Sequence, residues 1–262
     1  MKKIMCVFLL FVLLISLASC DIAANYMETG YLYTTERDGS TYLLSRYARI
    51  YNIDLVDKTF SVVKNDLITE DDFISQNEFK YRFFAGEYFA NPIPDGYEGV
   101  VKYIDEYCNE ETTSVVSATG YVKDQILIGF VQIYNDTSGG YGNYAIENIS
   151  YSIAYSYNAD TDEFSVVKRF DDSVIVAFTD NTVIYWNDKA YYSYDLISNT
   201  ENYLVEDKAY DGGLVQQSEP AVFANDEICV LHLLKSKMNK KTEYMYVYCF
   251  ETNEFFELEW IQ

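Results

Sequence analysis

The clearest alternation in the chain runs over Ile149–Tyr157. Ile149, Tyr151, Ile153, Tyr155 and Tyr157 fall on one side, and Ser150, Ser152, Ala154 and Ser156 on the other. A period of two is the strand period, and a bulky face opposite a small one predicts a strand packed between sheets. Shorter runs of the same kind fill Ser173–Glu206: SVIVAFT, TVIYW, AYYSYDL and NYLVE, separated by Asp180-Asn181, Asn187-Asp188 and Ser198–Glu201. Apolar runs broken by Asn, Asp and Ser predict four antiparallel strands joined in sequence by tight turns. The same order is expected in Ser117–Phe170 and Pro220–Leu258.

Toward the N-terminus, strands are expected at Gly30–Thr34, Thr41–Asp54 and Phe60–Val63, with Asp38-Gly39 closing a hairpin. Thr69–Phe79 predicts a helix: Thr69 caps, Asp72 stands at capping-box spacing, and Glu70, Asp71 and Asp72 suit the positive end of the dipole. Lys80–Phe89 and Glu98–Tyr107 predict two more strands around a loop carrying Pro92 and Pro94.

These segments repeat. YSYNADTDEF at 155–164, YSYDLISNTENY at 192–203 and YVYCFETNEF at 246–255 align as a strand and its turn. IYNIDLVDKTF at 50–60 shares the pattern, and KYIDEYCNEETTSV at 102–115 matches it less closely. The spacing of roughly 40–50 residues, with four strands apiece, is the period of propeller blades. The chain resembles β-propellers of exported bacterial lipoproteins, with aromatic-x-aromatic-Asp strands followed by Asn/Thr/Glu turns. That resemblance implies an all-β fold of about five four-stranded blades near 29–64, 65–116, 117–170, 171–207 and 214–260. The Trp-Asp dipeptide and the sialidase Asp box are both missing from the sequence. A β-sandwich with long hairpins is the alternative architecture.

Composition agrees with strands: 27 Tyr and 16 Phe stand against 3 Pro. Charge narrows function. The net charge of −22 becomes −24 without residues 1–19, which carry Lys2 and Lys3 and no acid. So acidic a body lacks the basic footprint that nucleic-acid binding requires.

Residues 1–19 read as a signal peptide: Met1-Lys2-Lys3, an apolar run from Ile4 to Leu17, then small residues. The run is shorter than the ~20 residues of a membrane-spanning helix. Leu17-Ala18-Ser19-Cys20 resembles the lipobox of bacterial lipoproteins. The resemblance implies cleavage before Cys20, and diacylglycerol and acyl chains such as palmitate on it. It also implies a place on the outer side of a bacterial membrane, at the cell surface or in the periplasm. More than one chain is needed for stable anchoring. Residues 20–28 then form the lipidated end and a tether of at most ~28 Å, followed by the 29–262 domain.

The catalytic signals are thin. His232, the only histidine, lies inside the strand ICVLHLL and reads as a core residue. With 41 acids, no spacing selects a glycosidase pair. Asn158, Asp160 and Asp162 begin like a calcium loop, but Glu163 stands where the loop needs Gly and Arg169 where it needs Glu. A solvated hairpin turn is the better reading, with a loose calcium site as the alternative; no other metal or cofactor is expected.

After cleavage and lipidation, Cys108, Cys229 and Cys249 remain. A hairpin centred on Asn239 would set Cys229 opposite Cys249, Leu231 opposite Val247 and Leu233 opposite Met245. A cross-strand disulfide and two reduced core thiols are both open. Lys235, Lys237, Lys240 and Lys241 form the one basic cluster, expected either as a solvated loop tip or as a contact with anionic head groups. Tyr141 and Tyr144 lie among glycines in the loop Asn135–Asn148, either a plain hairpin loop or an aromatic surface for sugars and peptides.

Together these features lead to an expectation: a membrane-anchored, non-catalytic module that binds a protein, peptide or glycan at the cell envelope. The alternatives are a glycoside hydrolase of the five-bladed kind and a structural envelope component.

Overall fold

The computed structural model describes residues 33–37, 40–44, 50–63, 93–109, 114–135, 149–208, 221–224, 227–237 and 240–261. Cys20 and its tether, the helix expected at Thr69–Phe79, the strand expected at Lys80–Phe89, and Tyr141 and Tyr144 lie outside them.

The described chain is mostly β, in four-stranded antiparallel units. Unit 1 contains β1 (Tyr33–Arg37), β2 (Ser40–Leu44), β3 (Ile50–Asp54) and β4 (Thr59–Val62). Unit 2 contains β5 (Ser114–Lys123), β6 (Ile126–Asn135), β7 (Ile149–Asn158) and β8 (Glu163–Asp171). Unit 3 contains β9 (Val174–Phe178), β10 (Thr182–Asn187), β11 (Ala190–Asp195) and β12 (Thr200–Glu206). Unit 4 contains β13 (Ala221–Ala224), β14 (Ile228–Lys237), β15 (Lys240–Cys249) and β16 (Glu254–Trp260). Within each unit the strands pair in sequence order; units 2 and 3 are separate four-stranded sheets, while β4 and β16 join units 1 and 4 edge to edge into one eight-stranded sheet. The four strands expected in Ser173–Glu206 are those of unit 3.

Units 2, 3 and 4 pack on one another in turn. Phe130 and Ala154 of unit 2 pack with Phe178, Val183 and Tyr185 of unit 3. Ile184, Trp186 and Tyr191 of unit 3 pack with Leu231, Leu233 and Tyr246 of unit 4. Val230, Met245 and Val247 of unit 4 then pack with Leu43, Tyr51, Ile53 and Phe60 of unit 1, which joins the first unit to the last. At that junction β16 runs parallel to β4 for two residue pairs, Glu259 with Thr59 and Trp260 with Phe60.

Two expectations need correction here. The strand expected at Glu98–Tyr107 is a helix, α1 (Val100–Asn109). Its apolar positions Val100, Tyr103 and Ile104 recur at three and four residues, the helical spacing. Val100 and Ile104 are fully buried. The pattern borrowed from the strand repeats at KYIDEYCN was therefore a chance match. The run Thr41–Asp54 is two strands, β2 and β3, folded against each other with Leu43 opposite Tyr51.

Helix α1 also completes the reading of β7. The tyrosine face of β7 is buried, but against α1 rather than a second sheet: Tyr151, Ile153, Tyr155 and Tyr157 pack with Val100 and Ile104. The small face meets unit 3, where the Ser152 hydroxyl donates to the Ser173 carbonyl at 2.6 Å.

The repeated turns share one geometry. Each ends in a residue with left-handed φ: Lys58 at 54°, Asp162 at 54°, Asn199 at 55° and Asn253 at 55°. Asn and Asp tolerate that region better than most side chains. In three turns the side chain that begins the turn accepts two backbone N–H groups: Asp54 from Val56 and Asp57, Asn158 from Asp160 and Thr161, and Asp195 from Ile197 and Ser198. Three units add a lock. The hydroxyls of Tyr157, Tyr194 and Tyr248 donate to Asp162, Asn199 and Asn253, five residues on, at 3.0, 3.2 and 2.8 Å.

Candidate functional site

Side chains alternate across unit 4. On β14, Cys229, Leu231 and Leu233 face unit 3, while Ile228, Val230 and His232 take the other side. On β15, Tyr244, Tyr246 and Tyr248 face unit 3, while Met245 and Val247 face unit 1.

That second face brings three polar residues into the seam between units 1 and 4. The Tyr51 hydroxyl of β3 donates to Glu243 Oε2 at 2.7 Å. His232 Nε2 lies 3.3 Å from the same oxygen, with side-chain exposures of 8% and 9% for His232 and Glu243. The approach is close but too poorly angled for a hydrogen bond, and Nε2 has no other partner. Tyr51 stands edge-on to the imidazole, ring centroids 5.2 Å apart. His232 is thus a buried seam residue, as its strand position implies. A buried carboxylate needs hydrogen bonds, and the Tyr51 hydroxyl supplies one to Glu243.

Beside this cluster the sheet forks. Pairing between β15 and β16 runs from Cys249–Glu254 to Met245–Leu258. Beyond it β16 turns to β4, and the N–H groups of Glu259 and Ile261 donate to the carbonyls of Lys58 and Phe60. The fork holds a cleft of about 340 Å³, bounded by Phe60, Glu243, Tyr244, Glu257, Glu259 and Trp260. Trp260 is 41% exposed and meets Phe60 edge-to-face at 5.0 Å.

Two lysines show how this region treats cations. Lys58 Nζ lies 2.6 Å from Glu254 Oε1 and 4.3 Å from the Phe256 ring centre. Lys208 Nζ lies 3.2 Å from Glu257 Oε2, with the Tyr244 and Tyr246 rings at 4.7 and 5.4 Å. The Tyr246 hydroxyl and then Glu257 hold the Lys208 ammonium above its ordinary pKa.

Of the two alternatives open for Cys229 and Cys249, the structure has the reduced one: both thiols are free. Lys237 pairs with Lys240, leaving two connecting residues, so Cys229 faces Tyr248 and Cys249 faces Ile228. The expected loop centre was half a residue off, and that shifts the pairing by one. One residue of slip sends a side chain to the opposite face. Cys229 sits in the unit 3 seam and Cys249 against the unit 1 seam. Burial raises both thiols, and Cys229 the more strongly.

Lys235, Lys237, Lys240 and Lys241 lie at the far end of the β14–β15 hairpin, away from the cysteines along both strands. Asn158, Asp160 and Asp162 form a hairpin turn. Asn158 is spent on backbone N–H groups, and Asp162 pairs with Lys102 of α1 and with Tyr157. Lys102 first and Tyr157 second lower the Asp162 pKa. Among the described residues no group of three His, Cys, Asp or Glu is placed to hold a metal. No described helix is long and apolar enough to cross a membrane. Sequence reasoning did not find Tyr51, Glu243, Glu259 or Trp260 as a group, because the fork that joins them depends on pairing between the first and last units.

No protein-family model matches this sequence, and no curated protein matches it. Among solved structures, the crystal structure of the tricorn protease is similar over 83% of this chain and 20% of that chain, with 9% identity and a TM-score of 0.30. The chain thus spans about a fifth of that protein, and a likeness of this strength assigns neither fold nor function.

Proposed function

We propose that the chain is an exported lipoprotein whose body is a β-propeller of about five blades, serving as a non-catalytic module that binds a protein, peptide or glycan at the cell envelope. The anchor rests on Leu17-Ala18-Ser19-Cys20. The propeller reading is supported by four-stranded up-and-down runs that recur in sequence and pack on one another, the first and last of them joined edge to edge into one eight-stranded sheet. The observation that carries the binding reading is the aromatic and carboxylate cleft at the seam, where Trp260 stays 41% exposed. Exposed aromatic rings beside polar groups suit peptides and sugars.

The test has two arms. Labelled palmitate fed to the expressing bacterium is expected on the wild-type chain and not on Cys20→Ala. Loss of the label with a retained membrane fraction would remove the anchor. The purified protein, applied to peptide and glycan arrays, is expected to retain a ligand unchanged. New reducing ends from a bound glycan would transfer the reading to a glycoside hydrolase.

A further inference from the structure

The β14–β15 hairpin outruns the strands beside it. β13 pairs with β14 only as far as His232, and β16 pairs with β15 only as far as Met245, the residue opposite His232. Five further pairs follow, from Leu233–Tyr244 to Lys237–Lys240, and among the described residues no other strand pairs with them. At ~3.4 Å per residue they make a two-stranded finger about 17 Å long. Its end is the basic cluster Lys235, Lys237, Lys240 and Lys241. The register sets Lys235 opposite Thr242, Lys241 opposite Ser236 and Lys237 opposite Lys240, so no acid stands across the ribbon from any of them. Like charges directly opposite each other destabilise a ribbon.

The chain enters the fold at this same end. Tyr33, where β1 begins, faces Leu44, and the pairs Thr34–Leu43, Leu43–Tyr51 and Tyr51–Val62 set that end of unit 1 at the close of β4. β4 runs parallel to β16, whose close points along β15 toward Lys240. Tyr33 therefore leaves unit 1 on the side toward which the finger projects. The opposite end of units 1 and 4 carries their last turns, where Asp57 and Glu251 are exposed.

We propose that the finger is the membrane-contacting element of the anchored protein, its four lysines meeting the anionic phospholipid head groups of the bilayer that holds Cys20. The inference rests on the anchor part of the reading above and adds an orientation to it. Thirteen residue steps separate Cys20 from Tyr33, a reach of at most ~45 Å. A tether of that length leaving the finger's end of the fold keeps the lysines near the surface and turns Asp57 and Glu251 away from it. Each lysine beside an anionic surface contributes about 1 kcal/mol. A body of net charge −22 is repelled by the same surface, but at ~0.15 M salt that repulsion fades over ~8 Å, about half the length of the finger. The fork at the base of the finger then stands clear by on the order of 10 Å, the run of β15 from Lys240 to Glu243.

The test reads the reactivity of each lysine in the full protein, as the expressing bacterium processes it, mixed with an excess of vesicles. The vesicles are phosphatidylcholine alone or phosphatidylcholine mixed with phosphatidylglycerol. Brief acetylation followed by peptide mass spectrometry gives a rate for every lysine. Lys235, Lys237, Lys240 and Lys241 are expected to react about fivefold more slowly on the anionic vesicles, the ratio to which ~1 kcal/mol corresponds. Raising the salt to about 1 M, where the screening length is ~3 Å, is expected to erase the difference. Lys123, in the turn between β5 and β6, is expected to react at one rate on both kinds of vesicle.

Equal rates at the finger lysines on the two kinds of vesicle would overturn the proposal. Protection of Lys123 to the same degree would also overturn it, since the protein would then meet the surface without a preferred end. Protection by soluble polyphosphate as strong as that by the vesicles would overturn it in favour of an anionic polymer. Flotation with phosphatidylcholine vesicles reports the lipid on Cys20 separately. Protein that floats without finger protection keeps the anchor and loses the finger; finger protection without flotation keeps the finger and loses the anchor.

Discussion

The seam between units 2 and 3 and the seam between units 4 and 1 are built from the same kind of sheet, yet they differ in what they bury. The first is aromatic: the Phe178 ring centroid lies 5.1 Å from that of Phe130 and 5.4 Å from that of Tyr121. Two of its polar side chains bond to backbone across the interface. Gln132 donates to the Ile175 carbonyl at 2.7 Å, and Ser152 to the Ser173 carbonyl. Only Asp172 and Ser173 separate the strands of these units. The second joins distant parts of the chain. It carries a buried carboxylate, a histidine with an unbonded nitrogen, and a sheet fork that leaves a cleft. Hydrogen bonds across an interface fix its geometry. One that keeps charge and an open edge forgoes packing and leaves room to bind something.

The sharpest way to break this comparison is Phe178→Ala. The ring is 1% exposed, and its removal is expected to cost about 3–5 kcal/mol by urea unfolding. A cost below that of an ordinary surface change would mean that the unit 2–3 seam is not the firmer of the two.

Tyr51→Phe tests the other seam. It removes the donor to Glu243 while keeping the ring against His232, and a hydrogen bond to a charged group contributes about 1.5–3 kcal/mol. A neutral result would show that the carboxylate is held by other groups.

The smallest effect is read chemically. In a Cys108→Ser background and without reductant, maleimide is expected to label Cys249 in the folded protein and Cys229 only after unfolding. The two thiols face different seams, and Cys229 is fully buried. A cross-link between them without reductant would contradict the register of the β14–β15 hairpin.

Much of the fold is written locally. The strands of unit 3 follow from short apolar runs and Asn/Asp turns. The recurrence of the Tyr157, Tyr194 and Tyr248 turns is visible as a spacing of five from tyrosine to Asp or Asn. Such features are legible because a turn closes within a few residues and its φ demands are local. The helix at Val100–Asn109 was legible too, through Val100, Tyr103 and Ile104, but the repeat pattern pulled the reading toward a strand. The β14–β15 register was not legible to within a residue. Both registers keep apolar residues inside, since unit 4 is buried on its two faces and lacks a polar side to break the tie.

The candidate site was the least legible part. Trp260 and Glu259 are exposed residues near the end of a strand, and Tyr51, His232 and Glu243 are spread over 192 residues. By itself the sequence determined the strand content, the turns and the acidic charge, because the first two depend on residues close together along the chain and the third on composition alone. The tertiary structure alone decided which faces meet, where β16 abandons β15 for β4, and hence that an aromatic and acidic cleft exists. Those outcomes depend on contacts between the first and last units, and the period of either strand carries no record of them.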